Sequence, residues 1–218
     1  MFTDRKEVGQ MLARKLESYR GKNALVVALP RGGVVVGYEV AHELHLPLDL
    51  IAIRKIGHPS DPEYAIGAVD EKMTVLLDET ASSSVDKSWL NDKISRESKE
   101  AHRRNKVYRG ERADLRAFGR IVILVDDGIA TGITMCLMVR SVRSLNPSKI
   151  IVAVGVMSLS AVSDLEQEGV NEVITLTPAG DFRGSVGAHY LHFDQVEDKE
   201  VIKLMKQAFD EEQSSARR

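Results

Sequence analysis

Cysteine is almost missing from this chain. Cys136 is the single one in 218 residues, so no disulfide can close within the chain and a reducing compartment is the simpler setting. Aromatic residues are scarce too, at 5% with one tryptophan, and they do not interleave with basic residues as a stacking platform for single-stranded nucleic acid requires. Neither sign of charge dominates. Thirty Lys and Arg against 32 Asp and Glu give a formal net charge of −2, which excludes the footprint of a nucleic-acid coat or a membrane-surface binder. Any polyanion must therefore be bound locally. No hydrophobic run approaches the length of a membrane span, and the start, Met1-Phe2-Thr3-Asp4-Arg5-Lys6-Glu7, lacks the apolar stretch of a secretory leader. A cytoplasmic location is expected.

What is present suits one globular domain over residues 1–218, with 43% hydrophobic and 28% charged residues. Val8, Met11, Leu12, Leu16 and Tyr19 keep the helical period, with Thr3 or Asp4 as N-cap and Gly21 as stop, which predicts a first helix over Asp4 to Arg20. Ala24 to Leu29, Leu48 to Ile53, Ile121 to Val125, Ile150 to Val156 and Glu172 to Leu176 are short aliphatic runs with no polar alternation. Strands of that kind are buried on both faces. Between them Val35 to Leu44, Ile133 to Leu145 and Ser160 to Glu168 read as helices, so the pattern repeats β-α-β and predicts a parallel sheet flanked by helices.

Two regions interrupt the alternation. Lys55 to Tyr64 holds one glycine and two prolines with few apolar anchors, and is expected to be a long mobile loop. Beyond a possible hairpin (Gly67 to Val69 with Thr74 to Leu77), Asp86 to Tyr108 is charged and helical in character, an insertion spanning about 80–118. From about residue 210 the polar tail is expected to be disordered.

The informative segment is the buried run Ile121 to Val125, which leads directly into Asp126-Asp127 and a Gly/Thr turn opening a helix. At the carboxyl edge of a parallel sheet, free backbone N–H groups and the positive end of a helix make an anion site. Thr131 and Thr134 add hydroxyls, while Gly128 and Gly132 let the backbone close around a phosphate. Lysine is absent from the pattern G-x-x-x-x-G-K-[ST], which removes the main support for an ATPase or kinase. Carboxylates beside a bound phosphate need hydroxyls or a cation, and a sugar phosphate offers vicinal hydroxyls.

Four aliphatics, Asp126-Asp127 and Gly128-Ile129-Ala130-Thr131-Gly132-Ile133-Thr134 resemble the phosphoribosyl pyrophosphate (PRPP) signature of type I phosphoribosyltransferases. The resemblance implies that fold, with a helical insertion and a small C-terminal hood-like region. It implies that Asp126 and Asp127 contact the ribose hydroxyls and that the following turn, above all Ala130 to Thr134, holds the 5′-phosphate. Pro30-Arg31-Gly32-Gly33, after the first strand, is similar to the family's pyrophosphate loop, with Arg31 supplying charge. Taken alone, Arg-Gly-Gly reads as an ordinary strand-to-helix turn, and it does not fit the dinucleotide pattern G-x-G-x-x-G. Arg54-Lys55 and the Gly/Pro stretch after them look like the family's strand end and flexible catalytic loop. The whole arrangement, including the insertion and Tyr190 to Gln195, is most similar to the bacterial and archaeal group called predicted phosphoribosyltransferases.

The chemistry so implied is attack of a nitrogen nucleophile on ribose C1 with loss of pyrophosphate, which needs positioning and charge stabilisation more than a strong base. Mg²⁺ would be carried by PRPP itself, with Asp126 and Asp127 as acidic support and no direct protein metal site. His42, His45, His102, His189 and His192 form no zinc spacing. From Arg96 to Arg120 nine basic residues face four acidic ones, a pattern that a solvated helix face explains. The sharper reading closes Arg103, Arg104 or Arg109 over the pyrophosphate. In 6-oxopurine transferases the position matching Ala130 is an acid, so the alanine argues against hypoxanthine or guanine and leaves adenine or another amine open. Phe182, Tyr190 and Phe193 are candidate stacking residues, with core packing the commoner role. Cys136 reads as a small core residue. The alternatives are a regulatory PRPP sensor that binds nucleic acid or a protein partner, and a phosphosugar hydrolase or binding module. Related transferases imply a homodimer.

Overall fold

The computed structural model describes residues 1–110, 112 and 114–215. Asp4 caps α1 (Arg5–Lys15) by accepting from the Glu7 N–H. The expected single helix to Arg20 is divided, because α1 tightens at Leu16, whose N–H is shared between the Leu12 and Ala13 carbonyls, and a 3-10 turn follows at Glu17–Tyr19.

The chain then alternates: β1 (Ala24–Ala28), α2 (Gly32–Leu44), β2 (Leu48–Leu50), β3 (Arg54–His58), β4 (Asp61–Val69), β5 (Val75–Leu77), α3 (Glu79–Ser83), α4 (Lys87–Arg109), β6 (Ile121–Ile129), α5 (Ile133–Arg143), β7 (Lys149–Met157), α6 (Leu159–Gln167), β8 (Glu172–Thr175) and α7 (Asp198–Ser215). Five strands form one parallel sheet in the order β2-β1-β6-β7-β8. The unbroken aliphatic runs are explained by what covers each face. Val26, Ile123, Ile151 and Ala153 point to α1, α2 and α7, meeting Val8, Leu12, Val36, Val40 and Met205. Val27, Val122, Leu124 and Val152 point the other way, to Met135, Val139 and Leu165 of α5 and α6. Both members of each strand pair are therefore apolar, and each fully buried aliphatic side chain contributes about 1.5–3 kcal/mol.

Counted along the chain, the five parallel strands lie in the order 2-1-3-4-5. The order reverses between β1 and β6, and open α/β sheets bind ligands at that crevice, beyond the carboxyl ends of the strands. Residues 176–197 cover this end of the sheet, tied to the N-terminus by a parallel bridge between Phe2 and Tyr190 and by the His192 N–H donating to the Thr3 carbonyl at 2.9 Å.

The stretch expected to be a mobile loop is instead a hairpin. β3 and β4 pair antiparallel, and β4 pairs with β5 between the two segments expected to form a hairpin, with Gly67 opposite Leu77 and Val69 opposite Val75. Ile56, Ile66 and Val69 bury against Leu90 of α4, which supplies the apolar face that local composition concealed. Pairing slips around Gly57, and Pro62 lies at that irregularity, where a missing N–H is tolerated. A Cβ on Gly57 would lie 2.2 Å from the Pro62 carbonyl oxygen, so the hairpin requires glycine there.

The tail is corrected as well. α7 runs to Ser215 because Val201, Met205 and Ala208 are buried along one face and Glu211 accepts from the Tyr38 hydroxyl at 2.9 Å; residues 216–218 lie outside the described residues. Among the described residues no helix is long and apolar enough to cross a membrane.

Candidate functional site

β1 ends with Ala28 opposite Val125, while β6 stays paired to β7 through Asp126 and Gly128. Asp126 and Asp127 therefore emerge where β6 loses one neighbour, in the crevice at the strand reversal. The turn from β1 into α2 packs over them. A Cβ on Gly32 would sit 2.1 Å from Asp127 Oδ2, and one on Gly33 would sit 2.9 Å from Asp126 Oδ1. The two glycines thus let the positive end of α2 lie directly on the acid pair. The Pro30–Arg31 peptide in this turn is cis.

The two carboxylates have different surroundings. Asp127 is buried, and its Oδ2 accepts from Arg5 Nε at 2.7 Å, both side chains being 12–13% exposed. Arg5 is held on three further sides: Nη1 donates to the Asp194 carbonyl at 2.8 Å, its guanidinium lies 3.9 Å from the centre of the Phe193 ring, and Gly32 leaves room for Nε. The Tyr190 hydroxyl donates to the Asp127 carbonyl at 2.6 Å. Asp126 is half-buried, and its Oδ1 accepts from the Asp127 N–H at 2.8 Å. Burial pushes both acids upward in pKa; the charge of Asp127 pushes Asp126 further, whereas the Arg5 guanidinium opposes the rise in Asp127. Asp126 is thus the member presented to the crevice and the one that holds a proton more readily.

The turn after the acids is anchored by Ser158, the N-cap of α6 just beyond β7. Ser158 donates from its N–H to the Ile129 carbonyl at 3.0 Å and from its hydroxyl to the Ala130 carbonyl at 2.6 Å. Gly132 adopts φ 77° at the cap of α5, and no side chain caps the first turn, which leaves the amides of Ile133 and Thr134 directed out of the helix end. Ala130 and Thr131 are exposed, and Thr134 is half-buried. Gly128 has a different role, since a Cβ there would meet Val186 at 2.6 Å in the covering segment.

The basic residues divide. Arg31, at the cap of α2, reaches Asp198 of α7 at 3.5 Å, and Arg103 of α4 reaches the same carboxylate at 3.2 Å. Arg104 pairs with Glu100 of its own helix at 2.8 Å, whereas Arg109 grips Asp49 of β2 with two nitrogens at 2.8 and 3.0 Å and so fastens the insertion to the sheet. Arg54 pairs with Glu97 of α4 at 2.8 Å, and Lys55 follows on β3 opposite Ala68. The structure brings Arg31 and Arg103 together, and places Arg54, Arg104 and Arg109 against other carboxylates.

A family model for the phosphoribosyl transferase domain matches residues 3–171, which takes in α1, both glycine turns, the insertion and the acid pair. This chain belongs to the phosphoribosyl transferase family. Two Mycobacterium tuberculosis proteins (strains CDC 1551 / Oshkosh and ATCC 25618 / H37Rv), provisionally named phosphoribosyl transferases, are each 36% identical over 210 residues, 95% of this chain and 47% of their own length. The chain thus spans about half the length of the curated relatives it matches. The crystal structure of TT1426 from Thermus thermophilus is 38% identical, covers 94% of this chain and 98% of its own, and superposes with a TM-score of 0.76.

Within this phosphoribosyl transferase fold, three residues of the site region escaped sequence reasoning. Arg5 is separated by 122 residues from Asp127, Tyr108 by 90 from Asp198, and Asp198 by 167 from Arg31. No local signal marks them, because each sits in an ordinary amphipathic helix. The aromatic candidates differ: Tyr190 is buried, Phe182 stacks on His189 with centroids 5.6 Å apart, and Phe193 holds the Arg5 guanidinium on one face while remaining 36% exposed. His189 Nε2 accepts from the Arg183 N–H at 2.9 Å, and burial lowers its pKa, so the ring is neutral. Cys136 is buried, and burial pushes its thiol up to about 12, which suits a core residue.

Proposed function

We propose that the chain transfers ribose 5-phosphate from PRPP to a nitrogen acceptor, releasing pyrophosphate. One observation carries the reading: at the strand reversal a half-buried carboxylate, Asp126, stands one turn before the uncapped amide end of α5. A phosphate on those amides and a sugar hydroxyl on Asp126 use both features of the crevice at once. The turn Pro30 to Gly33 then takes the pyrophosphate, with Arg31 as its charge, and Arg103 reaches toward the same place.

Among the described residues no group of three or more His, Cys, Asp or Glu side chains is arranged to hold a metal ion. A single half-buried carboxylate nevertheless fits hydrated Mg²⁺ that arrives on the substrate's oxygens. Bound there, Mg²⁺ would neutralise charge on the departing pyrophosphate. The protein orients the ribose, holds the phosphate and keeps the Asp127 charge matched by Arg5. Ala130 offers no proton-handling group beside the ring, which favours an acceptor that needs none, such as an adenine-type base or an amine.

The regulatory alternative rested on the basic stretch Arg96 to Arg120. Arg103 and Arg104 pair with Glu100, Arg109 with Asp49, and Arg112 and Arg120 donate to backbone carbonyls, so much of that charge is spent within the fold. That removes five of the nine basic residues from the support for nucleic acid. The test is a pyrophosphate-release screen with PRPP, Mg²⁺ and a panel of bases and amines. Acceptor-dependent release supports transfer, release without any acceptor points to hydrolysis, and no release with any acceptor contradicts the proposal.

A further inference from the structure

Three donors, two from α4 and one from the cap of α2, converge on one carboxylate beside the turn that follows β1. Tyr108 of α4 donates its hydroxyl to Asp198 Oδ1 at 2.6 Å, Arg31 lies 3.5 Å from the same oxygen, and Arg103 lies 3.2 Å from Oδ2. Arg31 precedes Gly32, which packs against Asp127, so this cluster adjoins the acid crevice. Two guanidinium groups and a hydroxyl aimed at one point are the donors expected around a phosphoryl group. Here the point is taken by the chain's own carboxylate.

The charged members are accessible: the side chains of Arg31, Asp198 and Arg103 are 24%, 36% and 47% exposed. Tyr108 is buried, and its hydroxyl fixes the position of the cluster. The Tyr108 hydrogen bond, with Arg103 behind it, holds the Asp198 carboxyl below its ordinary pKa, so it is an anion at neutral pH. Exposed pairs of this kind are weak. A diphosphate, with more charge and more acceptor oxygens than one carboxylate, is equipped to displace it.

We propose that Asp198 is an intramolecular competitor for the diphosphate subsite, and that Arg103 and Tyr108 are donors the diphosphate takes over when Asp198 turns away. This rests on the reading of Pro30 to Gly33 as the pyrophosphate turn and adds a control to that site. The first turn of α7 is tethered while the subsite is empty of diphosphate and released when it fills.

The experiment is calorimetric titration of the full chain with inorganic pyrophosphate and Mg²⁺, and separately with ribose 5-phosphate, for wild type, Asp198→Asn and Arg103→Gln. Asparagine keeps an oxygen for Tyr108 and removes the charge. The expected result is pyrophosphate binding roughly three- to tenfold tighter in Asp198→Asn and weaker by a similar factor in Arg103→Gln, with ribose 5-phosphate affinity unchanged in both. Equal or weaker pyrophosphate binding by Asp198→Asn overturns the inference, as does failure of every protein to bind pyrophosphate when ribose 5-phosphate binds. If wild type binds neither ligand, the underlying functional reading fails and takes the inference with it. A measurement on wild type alone guards against a variant that loosens α7: amide exchange at residues 199–202 should speed up on addition of pyrophosphate. Unchanged or slower exchange also overturns the inference.

Discussion

Replacing Arg5 with methionine should destabilise the protein by an amount that depends on pH. The substitution keeps an aliphatic stem against Phe193 and removes the charge that faces Asp127 at 2.7 Å. With charge centres about 4 Å apart and an effective dielectric near 20, the lost attraction is about 4 kcal/mol, and breaking one partner from a buried pair costs about 3–5 kcal/mol. Because both side chains keep 12–13% exposure, water recovers part of the loss, and about 3 kcal/mol is the expected cost near neutral pH. That would lower a urea midpoint by roughly 1 M or more. The pH sign follows from Asp127. Burial already raises its folded pKa above the ordinary value, and loss of Arg5 raises it further. A raised folded pKa gives stability that is complete below the unfolded value and is lost as pH climbs through the folded value. The penalty in Arg5→Met should therefore be full at pH above the raised folded value and shrink as pH falls toward the ordinary carboxylate range. Urea midpoints of both proteins across that span of pH test this. A penalty under about 1 kcal/mol, or one that does not vary with pH, would refute the buried-charge argument.

Other consequences can be checked separately. Gly132→Ala forces a side chain into the left-handed region at φ 77°, so it should cost about 1–2 kcal/mol in denaturant unfolding and weaken phosphate binding at the mouth of α5. The His42 ring is raised in pKa by its hydrogen bond to Glu211 and by the charges of Glu211, Glu43 and Glu39. Its contribution to docking α7 on α2 is present below the usual histidine range and is lost as pH rises through the raised value; exchange rates of α7 amides should follow that course in wild type and lose it in His42→Gln. Cys136, its thiol pushed up to about 12, should react with a thiol reagent at mildly alkaline pH only at the rate of unfolding.

The five-strand sheet was legible because its central strands β1, β6 and β7 carry aliphatic runs buried on both faces, and the acid pair and glycine turns were legible because they lie contiguously at strand ends. The hairpin β3–β4 was not. Its burial depends on Leu90 of an inserted helix, and Gly57 and Pro62 imitate a loop while forming a bulge. The helix beyond residue 210 was hidden similarly, since Tyr38 and His42 hold Glu211 from a distant element. Within the site, sequence placed Asp126 and Asp127 side by side as equals. Only the fold separates them, by bringing Arg5 across 122 residues to one member of the pair.

The central claim concerns the crevice between β1 and β6, and a titration calorimeter addresses it most directly. Ribose 5-phosphate and PRPP, each with Mg²⁺, should release heat on binding to the wild-type chain, and Asp126→Asn should weaken both by about ten- to a hundredfold through loss of a carboxyl that bound Mg²⁺ and the sugar hydroxyl draw into its ionised form. Wild-type protein that folds and gives no heat with either compound, or an Asp126→Asn variant that binds as tightly as wild type, would contradict the account.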